Sequence, residues 1–276
     1  MSKKLPPSDF RAVRYKLEPH EFAVSEGQDV APTDLVDEET WDGIMHLPDD
    51  VAIRISDHNG HRLELLYSLW GDWITATGDP EKTDELFNCM LDAGDAFQCA
   101  NFLFLHGYYR AAIAELRVAL ELVITGAYGN LKPHDPNYVV WKTSGSELGF
   151  TRCRKRIYGM LRGDQCKWLF ADEEFPDKTF QRLCNFTHSR PDSSDGALWE
   201  SNGPVYKHQS VILTFFTILS AYAICYLLVR VARPDFALPP DSRILFEEDW
   251  VPNRAGLTKA FEQLYKERAA VRARQP

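Results

Sequence analysis

Signatures of metal and phosphate binding are what this sequence lacks. No two of its six cysteines (Cys89, Cys99, Cys153, Cys166, Cys184 and Cys225) stand at C-x-x-C spacing, and no histidine pair accompanies them at zinc-finger spacing. That argues against a structural zinc site, and the sequence calls for no metal and no cofactor. There is no P-loop, no G-x-G-x-x-G, no H-E-x-x-H and no G-x-S-x-G, so the nucleotide-binding, zincin and hydrolase classes that those motifs define receive no support. The opening stretch MSKKLPPSDFRAVRYKLEPHE has no apolar core of a secretory signal. The expectation is a cytoplasmic protein whose thiols stay reduced, most of them in or near the core. Positive charge is also short: 31 Lys and Arg face 40 Asp and Glu, a net charge of −9. Coating nucleic acid by bulk charge is thereby disfavoured, while a local basic site stays open. Neither an internal repeat nor a low-complexity segment is present.

What remains is ordinary globular material, with 45% hydrophobic and 26% charged residues in 276. A chain of this size buries roughly three quarters of the surface that its unfolded form exposes. One large domain, or one with extensions, is expected.

The pattern is mainly α: a helical bundle with an irregular N-terminal arm and a C-terminal helix. Residues 1–60 read as the arm. Phe10, Val13, Tyr15 and Leu17 suggest an extended piece, and Pro6, Pro7, Pro19 and Pro32 break any long helix. Asp34 to Met45 could hold a short helix around Trp41. Val51 to Ile55 has strand composition, and Asp57 to Gly60 is a turn signal.

Residues 61–232 read as the bundle. Leu63, Leu66, Tyr67, Trp70 and Ile74 recur at helical spacing. Asp79 and Pro80 suit the start of the next helix. Its buried stripe would be Leu86, Met90, Ala93, Phe97 and Ala100, and Gly107 its C-terminal cap. Tyr109, Ile113, Leu116, Leu120 and Ile124 mark a third helix. On it Arg117 and Glu121 are four apart and can pair, either in solvent or turned toward the helix that carries Arg182. Residues 131–146, with two prolines, read as a loop, and Glu147 to Arg162 as a helix with a basic end. The uncharged run Val211–Val229 is long enough to span a membrane. Its stripe of small residues, Thr214, Thr217, Ala221 and Cys225, and the amphipathic helices before it favour a buried core helix instead. Residues 233–276 form a C-terminal extension: a Pro-rich stretch with Ile244–Phe246 extended, then a helix packing through Leu257, Phe261, Leu264 and Tyr265.

The chemistry concentrates between Phe180 and Trp199. With residues 178–189 helical and Asp177 as N-cap, Phe180, Leu183, Cys184 and Thr187 share one face. Arg182, Asn185 and His188 then follow one another at i+3 spacing on another. A guanidinium, an amide and an imidazole would reach one bound group, beside the turn that Pro191 forces. His106 and His208, also near helix ends, have weaker claims.

A helical bundle with Arg-x5-His on a late helix resembles the HEPN superfamily of small all-α proteins. The matching residues are Arg182 and His188, and the pattern of helices covers roughly residues 80–232. Arg182 is followed by Leu183, where the family usually has a polar residue; Asn185 is the candidate substitute. The resemblance implies a metal-independent RNase of the toxin or phage-defence type, working as a homodimer. His188 and Arg182 would be catalytic with Asn185, and Arg117 and Glu121 would support them. Arg152, Arg154, Lys155 and Arg156 are a candidate RNA-backbone strip, or alternatively a solvated helix end. Expected partners are RNA, a second copy, and a protein partner or antitoxin. The competing expectation is a non-catalytic interaction module of the same fold.

Overall fold

The computed structural model describes residue 40 and residues 42–77, 85–145, 147–163, 166–187, 203–247 and 254–266. They form a mainly α-helical bundle with a C-terminal helix, and no strand occurs among them. A π-helical turn, Asp42–His46, leads into α1 (Leu47–Thr77). Then follow α2 (Glu85–Leu105), α3 (Tyr109–Leu131), α4 (Pro136–Ser144), α5 (Phe150–Met160), α6 (Phe175–Thr187) and α7 (His208–Ala232). A single turn, α8 (Ile244–Glu247), and α9 (Arg254–Phe261) close the order, α9 continuing as a π-helical turn through Lys266.

Helix α7 is the buried rod of the bundle, packed chiefly on α3. Every residue from Ala221 to Ala232 is buried, and so are the small side chains of Thr214, Thr217 and Cys225. Among the described residues it is the one helix long and apolar enough to cross a membrane, yet 78% of that window is buried inside the fold. The bundle itself covers the uncharged run.

Helices α2 and α3 follow their sequence pattern closely. Leu86, Met90, Ala93, Phe97 and Ala100 on α2, and Tyr109, Ile113, Leu116, Leu120 and Ile124 on α3, are all fully buried. Gly107 joins the two helices. Its φ of +79° lies in the left-handed region. Its amide donates to the Phe104 carbonyl, and the Tyr108 amide donates to that of Leu103. This pair of bonds is the Schellman arrangement that satisfies the last carbonyls of a helix. A Cβ at Gly107 would also lie 2.8 Å from Val51 Cγ1, so glycine is required twice over. Farther along, α3 and α2 nearly touch at Gly126, where a Cβ would stand 2.7 Å from that of Cys89.

Other elements depart from the sequence pattern. Val51–Ile55 is helical rather than extended: it lies inside α1, which also runs through residue 60. The residues read as a turn produce a kink instead, at Asn59 (φ −137°, ψ 25°). β-branched residues cost a helix only tenths of a kcal/mol, about 0.5 each, and burial of Val51 and Ile55 outweighs that. The apolar face of α1 is also shifted. Leu66, Leu69 and Trp73 point inward, while Tyr67 is 72% exposed and Ile74 is exposed as well. The stretch 131–146 is not all loop, because Pro136 starts α4 rather than breaking a helix. Asp135 caps it, accepting from the Asn137 amide at 2.9 Å, and Gly145 closes it in the left-handed conformation. Ile244–Phe246 forms a helical turn, not an extended piece.

At the C-terminus, Leu257, Phe261 and Leu264 are buried as their spacing predicts, with Tyr265 half-buried. Arg230 of α7 holds this end: its Nε donates to the Leu264 carbonyl at 2.8 Å, its Nη1 donates to that of Phe236, and its guanidinium lies 5.0 Å from the Tyr265 ring centroid. The arm around Phe10, residues 34–39 and Trp41 of the predicted short helix, Asp79 with Pro80, and Pro191 to Trp199 lie outside the described residues; the end of that short helix, from Asp42, is the π-helical turn.

None of the six cysteines is in a disulfide, and four of them (Cys89, Cys153, Cys166 and Cys225) are buried. Burial pushes the Cys153 thiol up to about 11. Cys99 is exposed and Cys184 half-buried. In native protein at pH 8, an aromatic disulfide reagent should therefore titrate Cys99 first. The four buried thiols should react only on addition of denaturant; fast native modification of Cys153 would contradict this packing.

Candidate active site

Helix α6 begins three residues earlier than its sequence pattern indicates, and this moves Asp177 from the cap into the first turn. There the side chain is 5% exposed and 3.1 Å from the Nε of Arg154. Its other oxygen accepts from the Glu173 amide and from Gln181 Nε2, both at 3.0 Å. The buried face of α6 is accordingly Pro176, Asp177, Phe180, Leu183 and Phe186. Thr187 is exposed, donating to the Leu183 carbonyl at 3.0 Å, and Cys184 is half-buried. The predicted apolar face is correct at Phe180 and Leu183 but rotated at its C-terminal end.

Opposite that face, Arg182 is exposed and Asn185 half-buried, three residues apart on consecutive turns. His188 follows Thr187 directly and lies outside the described residues. The two weaker candidates, His106 and His208, occupy ordinary helix ends. His106 Nδ1 is 2.8 Å from the Phe102 carbonyl and its Nε2 3.8 Å from Asp49. His208 is exposed at the first residue of α7.

Helix α3 runs alongside α6. Arg117 and Glu121 do pair, with Nη2 3.2 Å from Oε1, and both are half-buried. The guanidinium of Arg117 also lies 5.8 Å from the centroid of the Phe180 ring on α6. The pair is thus turned toward that helix rather than standing in open solvent. Two turns earlier on α3, Arg110 reaches the end of α6: its Nη2 donates to the Phe186 carbonyl at 3.4 Å. Arg110 was not singled out by the sequence pattern. Its signal is the seven-residue spacing from Arg117, which sets both arginines on one face. A cation at a helix C-terminus is stabilised by the carbonyl dipoles there, so Arg110 braces the last described turn of α6.

The basic strip of α5 divides in two. Arg154 is buried, with its guanidinium shared among the Phe170 carbonyl, Asp172 and Asp177. Arg156 donates at 2.8 Å both to the Tyr128 hydroxyl and to Asp135. The Tyr128 hydroxyl first, and Asn137 and Arg156 with it, hold the Asp135 carboxyl well below its ordinary range. Arg154 is thus held inside the fold, and Arg156 is paired within it while half-buried. Arg152 and Lys155 are exposed. The hydrogen bond from Arg154, ahead of the nearby Lys155, lowers the Asp172 carboxyl, so it stays an ionised partner.

No group of three His, Cys, Asp or Glu side chains among the described residues could hold a metal ion. No protein-family model matches the chain, and neither a curated protein nor a solved structure matches it.

Proposed function

We propose that this chain is a metal-independent endoribonuclease resembling the HEPN superfamily, acting as a homodimer in a toxin or phage-defence setting. The observation that carries the reading is the exposed Arg182 on the outer face of α6, in one helical row with Asn185 and leading into His188. In this reaction the 2′-oxygen of RNA bonds to the adjacent phosphorus and the P–O5′ bond breaks. His188 takes the 2′ proton and returns a proton to the leaving 5′ oxygen, because an imidazole titrates near neutrality. Arg182 holds the phosphate in forked geometry and stabilises the charge that gathers there. Asn185 orients the same group, and the Arg117–Glu121 pair supports α6 from behind.

The purified chain should cleave RNA in EDTA, leaving 2′,3′-cyclic phosphate ends. His188→Ala should lower the rate about 10²- to 10⁴-fold, the usual contribution of a general base, and Arg182→Ala should lower it without altering the helical circular dichroism. Cleavage undiminished in His188→Ala rejects the assignment. A non-catalytic interaction module is the second reading, and it calls for a large contiguous exposed apolar patch. It requires that the wild-type chain cut no RNA at all.

A further inference from the structure

The outer face of α5 presents Arg152, Lys155 and Tyr158 in succession at i+3 spacing, all exposed. The 3₁₀ turn Lys167–Phe170 carries Lys167 and Trp168 beside it. The Lys167 ammonium stands 4.7 Å from the centroid of the Tyr158 ring. Next to it, Lys259 of α9 stands 4.7 Å from that of Trp168. The Trp168 ring is set in place by its Nε1, which donates to Gln263 at 3.0 Å. Two aromatic rings, each with a lysine on its face, are thus flanked by Arg152 and Lys155. The facing carboxylates are Asp172, already bonded to Arg154 and 3.7 Å from Lys155, and Glu262, exposed one turn beyond Lys259. On a chain of net charge −9, this is a local concentration of cations interleaved with rings.

We propose that this face is a docking platform for single-stranded RNA, distinct from the Arg182 row. It rests on the proposed nuclease reading only in taking RNA as the occupant. Phosphates draw the ammonium groups of Lys167 and Lys259 off the rings on their flexible stems. The vacated faces of Tyr158 and Trp168 then take bases by stacking, which is tolerant of sequence because every base has a π-face. Lys155 and Arg152 follow the backbone. A duplex keeps its bases paired and stacked internally, so it gains only the charge contacts.

The test uses the full chain in EDTA with a fluorescent 2′-O-methyl oligouridylate, which cannot undergo 2′ attack. Anisotropy titrations are run at several salt concentrations. Lys155→Ala/Lys167→Ala/Lys259→Ala should weaken binding about tenfold or more and flatten the log K against log salt slope by about 2. Tyr158→Leu, which changes no charge, should weaken binding about fivefold or more and leave the slope alone. Should the triple variant lose its helical circular dichroism, Lys259→Met carries the same test. The platform is overturned if wild type does not bind the probe, if the triple variant binds it as tightly as wild type, or if duplex RNA or polyglutamate binds equally well. Patch-dependent binding in a chain that never cuts RNA sinks the nuclease reading alone. Cleavage with patch-independent binding sinks the platform alone.

Discussion

Asp177→Ala should destabilise the fold by about 3–5 kcal/mol, the range for removing one partner of a buried ion pair. The side chains of Arg154 and Asp177 are 2% and 5% exposed. Without the carboxylate, the Arg154 Nε faces no anion, and water cannot reach it. The loss extends to the backbone, because the same carboxylate accepts from the Glu173 amide. Glu173 has a φ of +63°, a conformation that a side-chain-bearing residue adopts only when neighbouring bonds hold it. Asp172 bonds the same guanidinium but is exposed, so Asp172→Ala should cost far less, as solvent-facing pairs do. The double variant Arg154→Met/Asp177→Leu should regain most of the lost stability, since an apolar pair of similar volume needs no desolvation. Urea unfolding midpoints with an unchanged slope give all three values. Equal, small losses in Asp177→Ala and Asp172→Ala would show that the pair is not buried.

Trp73→Ala should cost a comparable amount, about 3–5 kcal/mol. Trp73 is fully buried and joins three helices. Its ring meets Phe97 of α2 edge-on at 5.3 Å and Tyr226 of α7 at 5.2 Å, while Phe97 stacks on Tyr222 of α7 at 3.9 Å. Its Nε1 donates to the Met90 carbonyl at 2.9 Å. Trp73→Phe keeps most of the ring contact and loses one hydrogen bond, a change of about 1 kcal/mol plus the volume difference. Tyr67→Ala, on the outer face of the same helix, should stay within about 0.5 kcal/mol of wild type. Thermal and urea unfolding of the three variants decide between the two apolar faces that α1 offers. A Tyr67→Ala loss as large as that of Trp73→Ala would reverse the helix on its axis.

That ambiguity in α1 is typical of where local pattern stops being informative. Both Tyr67 with Ile74 and Leu69 with Trp73 are apolar at helical spacing, and only the neighbouring helices select between them. On α2 and α3 one apolar stripe has no rival, and the burial of Leu86 through Ala100 and of Tyr109 through Ile124 was legible from spacing alone. Pro136 shows a different failure. A proline both breaks a helix and starts one, and the capping Asp135 just before it decides which. Within the site, the Arg117–Glu121 pair could be read because its partners are four residues apart. The burial of Arg154 could not, because its partner Asp177 lies on another helix and nothing near Arg154 in the chain announces it. Arg152 and Lys155 stand beside it in sequence with the same chemistry and face outward.

The tight connection at Gly107 has a consequence for the order in which chain entropy is lost. Helices α2 and α3 meet across three residues, His106, Gly107 and Tyr108, so their shared core assembles almost without closing a loop. Helix α7 must instead find α3 across the whole span that holds α4, α5 and α6. The early hairpin is therefore the cheapest template in the molecule, and the apolar rod docks onto a surface that local contacts have already built.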